Sequence, residues 1–282
     1  MKQVCIQGLG YVGAAMATAV ALARDENGEP RFDVTGVDLP NHVGLERVSA
    51  MNAGKFPFVD NNNELSLATQ IAVKAGNLRA TTDVSAYSDA DIVVVDVQLD
   101  MSSKHNELNA DFRTIEQAVK TIGENIAENT LIVIETTVPP GTCDNIILPI
   151  LRESYRQRGF DENSIKLSHS YERVMPGENY LDSLINYWRV FSANTDLAAT
   201  ECESFLSAII NVENYPLTRV ASLRASEAAK VLENSYRAAN IAFIDEWTRF
   251  AEDIGFDLYE VIDAIRFRPT HSNIRAPGLG VG

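Results

Sequence analysis

The sequence predicts an α/β fold, in which a doubly wound parallel sheet is followed by a mostly helical second domain. Three observations lead to this prediction. Short apolar runs alternate with helical segments through the first two thirds of the chain. The first of these runs ends at the glycine-rich turn "GLGYVG". Beyond that region the apolar spacing is helical, and it includes one helix that is long for a globular domain. Strands that alternate with helices are typical of a parallel sheet covered on both faces.

The predicted strands are short runs rich in β-branched residues. Continuous apolar runs are expected where a parallel strand is buried on both faces of its sheet. In chain order these runs are "QVCIQ", "RFDVTGVD", "DIVVVDVQ" and "TLIVIETTV".

The predicted helices of the first domain follow these strands. Ile115, Val119 and Ile122 recur at helical spacing within "DFRTIEQAVKTIGENIAE", and Asp111 is the expected N-cap of that helix. The remaining helical segments are "AAMATAVALAR", "NELSLATQIAVKAG" and "PPGTCDNIILPILRESYRQ".

The second part of the chain is predicted to be helical. The segment "SEAAKVLENSYRAANIAFIDEWTRFAEDIG" forms one long helix that Gly255 ends, because glycine favours the left-handed conformation that follows a helix. "TDLAATECESFLSAII" and "DLYEVIDAIRF" are the other two helices. We therefore predict two domains, residues 1–195 and residues 196–282.

Composition narrows the class of partner. The chain has 282 residues, 45% of them hydrophobic, a formal net charge of −15 and a pI of about 4.7. This charge disfavours non-specific binding to nucleic acid and to anionic membrane surfaces. No run of the roughly 18 apolar residues of a membrane span occurs, and the N-terminus lacks a signal-peptide pattern. We expect a cytoplasmic protein with no nucleic-acid or membrane partner.

Cysteine and histidine usage predicts neither a disulfide framework nor a metal site. Cys5, Cys143 and Cys202 are far apart, and none belongs to a CxxC pair. The four histidines do not cluster. Cys5 is expected in the core of the first strand, and Cys202 on a surface or interface helix. Cys143 begins a helix, whose N-terminus would lower the pKa of its thiol.

The motif of Gly8, Gly10 and Gly13, with Tyr11 and Val12 between them, predicts a dinucleotide site of the Rossmann-like type. It follows a predicted strand and opens a helix. The glycines allow a tight turn, close approach of a pyrophosphate and close packing of helix on strand, while the helix N-terminus offers free N–H groups to the anion. The alternative is a turn that only joins strand to helix.

Asp38 ends the second predicted strand, where a carboxylate accepts hydrogen bonds from the adenosine ribose. Its distance from the motif exceeds the usual spacing because the turn "RDENGEP" lengthens the connection. A carboxylate there repels a 2′-phosphate, so the sequence favours NAD over NADP as the cofactor.

Five other polar residues follow predicted strands and are expected at the same edge of the sheet, because the carboxyl ends of parallel strands face one crevice. For any one threonine, a loop hydroxyl with no functional role is the alternative. The residues are Thr82, Gln98, Thr136, Thr137 and Glu172.

The segments "GLGYVG", "IETTVPPGT", "YERVMPG" and "AAKVLENSYRAANIAFIDEW", in this order, resemble the nucleotide-sugar 6-dehydrogenase family, the UDP-glucose and GDP-mannose dehydrogenases. "MNAGKFP" and "LRATTD" also look like its first domain. The resemblance covers the whole chain. It implies an NAD domain, a central helical domain that forms homodimers and a C-terminal domain that binds nucleotide. It also implies oxidation of a sugar C6 alcohol to a carboxylate with two NAD, through a cysteine thiohemiacetal and thioester.

The same resemblance places the family's catalytic lysine and asparagine at Lys230 and Asn234. Positions i and i+4 project from one helix face. An ammonium and an amide N–H there would stabilise negative charge on the substrate oxygen. Spacing alone also suits a solvated lysine and a polar surface residue, although apolar neighbours in the sequence disfavour that alternative for Lys230.

Two further catalytic positions follow from the resemblance. Thr137 corresponds to a threonine that holds the catalytic water, and Glu172 to a glutamate that acts as general base in thioester hydrolysis. A salt bridge with Arg173 is the alternative for Glu172. Tyr171 stands where the family usually has proline. Pro176 stands where the UDP-glucose branch has a second acid, which favours N-acetylated amino sugars or other nucleotide sugars over UDP-glucose.

The segment "PGLGVG" resembles the start of the family loop that delivers the nucleophilic cysteine. We expect Gly278 and Gly280 to let the backbone approach the sugar. The cysteine of that loop is absent from these 282 residues. We therefore expect this chain to bind NAD and to be inactive, or only partly active, in making a uronic acid.

Two alternative functions remain. One is a cysteine-independent β-hydroxyacid dehydrogenase, which shares the glycine motif and a Lys-x-x-x-Asn helix. The other is a non-catalytic module that binds NAD and dimerises.

Overall fold

The computed structural model describes residues 1–104, 107–173 and 179–277. Contacts within the chain divide it into two compact units, Met1–Ala228 and Ala229–Gly282, and each is described by itself. The predicted domain boundary after residue 195 stays a prediction. In the described part of the chain, no helix combines the length and the apolar character that crossing a membrane requires.

The first unit is built on one eight-stranded sheet with the order β10-β9-β8-β7-β4-β1-β2-β3. Strands from β3 to β8 in this order run parallel, while β9 runs antiparallel to β8 and β10 parallel to β9. A two-stranded antiparallel hairpin, β5–β6, lies outside this sheet. The strands are β1 (Lys2–Gln7), β2 (Phe32–Val37), β3 (Leu78–Thr81), β4 (Ile92–Val95), β5 (Asp100–Lys104), β6 (Glu107–Asp111), β7 (Leu131–Ile134), β8 (Lys166–Tyr171), β9 (Val190–Ala193) and β10 (Thr218–Arg219).

Alternating side chains of the central strands enter two separate cores. In β1, Val4 and Ile6 pack on one face and Cys5 on the other. Strands β4 and β7 divide their side chains in the same way, and all eight of their residues are buried. Successive residues of a strand point to opposite faces, so these continuous apolar runs need helices on both sides. The predicted doubly wound sheet is confirmed.

Helices cover both faces. α1, α3 and α7 supply the first core, whereas α4 and α5 supply the second. A π-helical turn, Cys143–Ile147, leads into α5. The helices are α1 (Tyr11–Leu22), α2 (His42–Asn52), α3 (Glu64–Ala75), α4 (Arg113–Asn125), α5 (Leu148–Arg158), α6 (Tyr180–Ile185), α7 (Asp196–Ser207), α8 (Leu223–Ile254) and α9 (Leu258–Arg266).

Two local predictions are corrected. Phe112, not Asp111, is the N-cap of α4. Asp111 ends β6, and its carboxylate accepts hydrogen bonds from the side chain of Arg113. Cys202 lies in the core of the first unit instead of on a surface, because its position on α7 faces the sheet.

The second unit contains most of α8, together with α9. Its small core is formed by Ile244, Ala251, Leu258 and Ile262. Gly255 follows α8 with a φ of +85°, as predicted for the residue that ends this helix.

Candidate cofactor and substrate site

A cavity of about 940 Å³ opens at the carboxyl ends of the central strands. Residues that directly follow β1, β2, β4, β7 and β8 line it, as do residues of α4 and of the β5–β6 hairpin. We call its two sides the β2 end, with Asp38 and Arg47, and the β7 end, with Asp96, Glu135 and Glu172. This edge is where ligands bind in open parallel sheets.

The glycine turn after β1 leaves room for a ligand because its side chains are missing. A Cβ atom on Gly13 would lie 1.9 Å from the carbonyl oxygen of Gly8, so helix and turn pack too closely for any side chain. Gly8 has a φ of +93°, which also favours glycine. A Cβ on Gly10, by contrast, would meet no described atom within 4 Å, and Gly10 lines the cavity. The turn therefore fits a pyrophosphate.

The N-terminus of α1 adds to this fit. Its N-cap is Gly10, no side chain of the described residues caps it, and its first turn holds no acidic residue. The free N–H groups and the positive end of the helix dipole suit an anion. Tyr11 and Val12 of this first turn also line the cavity.

The carboxylate of Asp38 is fixed at the β2 end by backbone donors. Its Oδ1 accepts a hydrogen bond from the N–H of Leu39 at 2.7 Å, and its Oδ2 accepts one from the N–H of Leu9 at 3.2 Å. The guanidinium of Arg47 lies 3.4 Å from Oδ2. Asp38 therefore joins the end of β2 to the glycine turn, and it lines the cavity.

The polar residues after β4 and β7 differ in their exposure. Thr136 is buried, and its hydroxyl donates to the carbonyl of Val97 at 2.8 Å. Thr137 is exposed and lines the cavity. Gln98 also lines the cavity and donates to Asp100 at 2.8 Å.

The turn "TVPPGT" after β7 is held by Glu227, near the N-terminus of α8. The buried carboxylate of Glu227 accepts hydrogen bonds from the N–H groups of Gly141 at 2.5 Å and Cys143 at 2.7 Å. Gly141 has a φ of +96°, which explains the glycine at this position. Glu227 thus fixes the backbone that follows Thr137.

Three carboxyl groups and one guanidinium meet at the β7 end. Asp96 follows β4, Glu135 follows β7, and Glu172 follows β8. Arg189, directly before β9, forms a buried ion pair with Glu135. Burial and the neighbouring Glu135 raise the pKa of Asp96 well above its ordinary value, and Arg189 lowers it to a lesser degree.

Two family models match the chain. Residues 2–206 match the NAD-binding domain of the UDP-glucose/GDP-mannose dehydrogenase family, and residues 224–282 match its central domain. The chain belongs to the UDP-glucose/GDP-mannose dehydrogenase family. The predicted family and the predicted NAD cofactor are confirmed.

Relatives and solved structures agree with this assignment. A UDP-N-acetyl-D-mannosamine dehydrogenase of Methanocaldococcus jannaschii is 28% identical over 281 residues, which are 100% of this chain and 58% of that protein. An NDP-N-acetyl-D-galactosaminuronic acid dehydrogenase of Ralstonia nicotianae is 28% identical over 100% of this chain and 62% of its own. The structure of the UDP-D-ManNAc dehydrogenase from Pyrococcus horikoshii superposes with a TM-score of 0.83 at 25% identity. The match covers 99% of this chain and 60% of that chain. The chain thus spans about three fifths of the length of these relatives.

The predicted site residues of this family member fall into three groups. Nine of them line the cavity: Gly8, Gly10, Tyr11, Val12, Asp38, Gln98, Thr136, Thr137 and Glu172. Gly13 supports the turn from behind, and Thr82, after β3, is not among the described residues that line the cavity. Their binding and catalytic roles stay predictions.

The remaining predicted residues lie outside the first unit. Lys230 and Asn234 lie on α8, in the second unit. The side chain of Lys230 is buried and makes a polar or electrostatic contact, whereas that of Asn234 is exposed. The burial disfavours the alternative of a solvated Lys230. Gly278 and Gly280 lie outside the described residues.

All three cysteines are buried. Burial raises the pKa of Cys5 and of Cys202 to about 12. The expectation that a helix N-terminus lowers the pKa of Cys143 is wrong: burial, and then the adjacent Glu227 carboxylate, raise it well above its ordinary value. None of these thiols is suited to act as a nucleophile, because the thiolate is the reactive form.

Tyr171 ends β8 and is fully buried. It pairs with Val190 in the antiparallel ladder of β8 with β9. A proline here would lack the N–H that such a ladder uses. Tyr171, in place of the family's usual proline, therefore allows β8 to stay a regular strand up to its last residue.

Sequence reasoning missed Asp96, Glu135, Arg189, Arg47 and Glu227. The sequence did contain a signal for Asp96 and Glu135, because "VVVD" and "IVIE" each place an acid directly after an apolar strand. For Arg189 and Glu227 the decisive fact is a contact with a residue distant in sequence, Glu135 and Gly141 respectively. Arg47 is nearer in sequence to its partner Asp38, but no motif marks the position.

Proposed function

We propose that this protein takes part in the NAD-dependent oxidation of a nucleotide sugar at its C6 alcohol, with an N-acetylated amino sugar in the substrate. One observation carries the proposal: a cavity with a bare glycine turn and a fixed Asp38 carboxylate, in a chain matched along its length by dehydrogenases of UDP-N-acetyl-D-mannosamine. Pro176, in place of a second acid, supports the same substrate class.

Each predicted site residue has one role in this proposal. When bound, NAD would supply the acceptor for the hydride. Gly10 leaves space for the pyrophosphate, and Asp38 accepts the hydroxyl hydrogens of the adenosine ribose. Lys230 and Asn234, one turn apart on α8, supply an ammonium and an amide N–H to the sugar oxygen. Thr137 positions water, and Glu172 takes a proton from it.

The covalent step calls for a reactive thiolate, which the buried Cys5, Cys143 and Cys202 do not provide. We therefore expect the 282-residue polypeptide to bind NAD without forming uronic acid at a useful rate. A steady-state assay with UDP- and GDP-sugars checks this, and sustained NADH production with any of them would contradict it.

The reductive direction tests the proposed chemistry without a thiol. In this direction NADH delivers hydride to the C6 carbon of a synthetic UDP-N-acetylmannosamine 6-aldehyde, and the oxygen takes a proton. We expect the chain to oxidise NADH with this aldehyde, and Lys230→Ala to slow the reaction about 10²–10³-fold. Glu252→Gln, a neutralising change at an exposed position far along the same helix, is the control. Reduction of a small β-keto acid instead would favour a β-hydroxyacid dehydrogenase, and NADH binding with no reduction a non-catalytic module.

We also propose a homodimer that forms through α8. Leu232, Tyr236, Phe243 and Phe250 are each more than half exposed and recur at intervals of four and seven residues, so they form an apolar stripe along one side of the helix. A second copy would bury this stripe. We expect twice the monomer mass by light scattering, and the monomer mass after Tyr236→Ser with Phe243→Ser. A monomeric wild-type chain would contradict the proposal.

A further inference from the structure

The side chains of Asp96 and Glu135 are neighbours because of strand register. Val95 pairs with Ile134 in the parallel ladder of β4 with β7, and Asp96 and Glu135 are the next residue on each strand. Neighbouring strands lie about 4.8 Å apart. Both residues line the cavity. Glu135 is only 3% exposed, and the Oδ2 atom of Asp96 is shielded from solvent.

One oxygen of each carboxyl group has no ordinary partner. Among the described residues, neither Asp96 Oδ2 nor Glu135 Oε2 has a hydrogen-bond partner, although the two residues follow paired positions on neighbouring strands. Two ionised carboxylates only accept hydrogen bonds, so a hydrogen bond between these groups requires a proton on one of them. One shared proton would give each carboxyl group a partner.

The surrounding charges decide which group holds the proton. Arg189 pairs with Glu135 through Oε1, so the guanidinium takes the place of a proton on Glu135 and the shared proton is favoured on Asp96. Glu172, after β8, adds a third carboxyl group whose charge disfavours ionisation of Asp96. From α6, Tyr180 also faces this group, and burial followed by the carboxylates raises the pKa of its phenol. These groups therefore favour the protonated form of Asp96 when no cofactor is bound.

The pair lies on the nicotinamide side of the cavity. Asp38 follows β2 and marks the adenosine, whereas Asp96 and Glu135 follow β4 and β7, on the other side of β1. A dinucleotide that crosses the glycine turn from β2 brings its nicotinamide to β4 and β7. The oxidised ring carries a positive charge, and the reduced ring carries none.

We propose that Asp96 and Glu135 share one proton and form a carboxyl pair that recognises the oxidised, cationic nicotinamide, releasing this proton to solvent when the cation binds. The cation replaces the proton as the partner of the pair. When the ring becomes neutral by accepting hydride, the pair takes up a proton again from solvent. Asp96 is thereby a residue that determines specificity for the redox state of the cofactor. The inference rests on the cofactor part of the proposed function and does not depend on the sugar.

Calorimetry of the 282-residue chain tests this inference. NAD⁺ and NADH are titrated between pH 6 and 9 in two buffers of different ionisation enthalpy, which gives the number of protons released. We expect NAD⁺ binding to release up to one proton and to tighten with rising pH by at most tenfold per pH unit. We expect NADH binding to release none.

Two variants sharpen the test. Asp96→Asn keeps the shape and donates an N–H to Glu135, so we expect it to abolish proton release and to weaken NAD⁺ binding about tenfold at high pH, with NADH affinity changed less than twofold. Asp89→Asn, the same change on an exposed residue at the opposite end of β4, is the control and should behave as wild type. Thermal melts establish that both variants fold.

The outcomes are distinct. NAD⁺ binding by the wild type without proton release would overturn the inference and leave the proposed function intact, whatever the variants do. Equal proton release by NAD⁺ and NADH would also overturn it. If neither cofactor form binds, both the inference and the cofactor part of the proposed function fail.

Discussion

The β2 end and the β7 end of the cavity hold carboxyl groups in two different ways. Asp38 is tied by backbone N–H groups and borders a half-exposed guanidinium. Glu135 depends on one buried guanidinium, and Asp96 faces another acid. Backbone donors favour a fixed ionised acceptor, while a buried acid pair favours a proton. The cavity thus combines a carboxyl group fixed by backbone donors at the β2 end with a buried carboxyl pair at the β7 end.

The largest effect is expected at the β7 end. Glu135→Gln leaves Arg189 buried without a charged partner, which costs about 3–5 kcal/mol of unfolding free energy. Urea unfolding at neutral pH measures this. Glu124→Gln, on an exposed ion pair with Lys120, is the control and should cost less than about 1 kcal/mol. Equal losses in the two variants would contradict a buried charge pair.

A second prediction concerns His169 of β8, which is buried and donates to or accepts from Ser226 at 2.7 Å. Burial lowers the pKa of His169 to about 4. Below the ordinary pKa of 6.5, the imidazole binds a proton in the unfolded chain but stays neutral in the folded chain, so the contribution of His169 to stability is lost as the pH drops from about 6.5 to about 4. The loss is up to about 3 kcal/mol.

Urea unfolding at several pH values checks this window. His169→Asn should flatten the pH dependence over this range, whereas His42→Gln, on an exposed histidine, should leave it unchanged. Because the raised pKa of Asp96 acts with the opposite sign over this range, the readout is the difference between the two proteins. Wild type and His169→Asn with the same pH dependence would rule out a buried neutral imidazole.

The third prediction concerns the carboxylate at the β2 end of the cavity. Asp38→Asn removes the carboxylate that accepts the N–H groups of Leu9 and Leu39 and that we propose accepts the ribose hydroxyls. Hydrogen bonds to a charged group are worth about 1.5–3 kcal/mol, so we expect NAD to bind about 10–150-fold more weakly. NADP should lose less, because the repulsion of its 2′-phosphate is gone. Calorimetry measures both, and unchanged selectivity would mean that Asp38 does not contact the ribose.

The smallest effect is expected for Arg47. Its ion pair with Asp38 is partly exposed, so Arg47→Ala should change NAD affinity by less than about fivefold. Residual NADP binding should fall further. If Asp38 contacts the ribose, the Arg47 guanidinium beside it lies near the 2′-phosphate of NADP and attracts it. A larger loss for NAD than for NADP would reverse the roles given to Arg47 and Asp38.

The sequence predicted the β2 end better than the β7 end, for a physical reason. Gly8, Gly10 and Gly13 act through local backbone geometry, and Asp38 follows its strand directly, so spacing alone locates them. The fold class followed from apolar runs whose alternate residues fill two cores.

The β7 end depends on contacts between distant segments. Arg189 meets Glu135, and Glu227 meets Gly141, across long stretches of chain that no periodicity relates. Cys143 also depends on a distant residue. Its place at a helix N-terminus predicts a lowered pKa, but its burial beside Glu227 raises the pKa of the thiol. The β5–β6 hairpin was missed because "DMSSK" and "ELNAD" lack the β-branched pattern of a strand.

The comparison of NAD⁺ with NADP⁺ by calorimetry on the wild-type chain tests the central claim most directly. A cavity with a bare glycine turn and a fixed Asp38 carboxylate should bind NAD⁺ with one site per chain and NADP⁺ at least about tenfold more weakly. Failure to bind NAD⁺, or tighter binding of NADP⁺, would contradict the account.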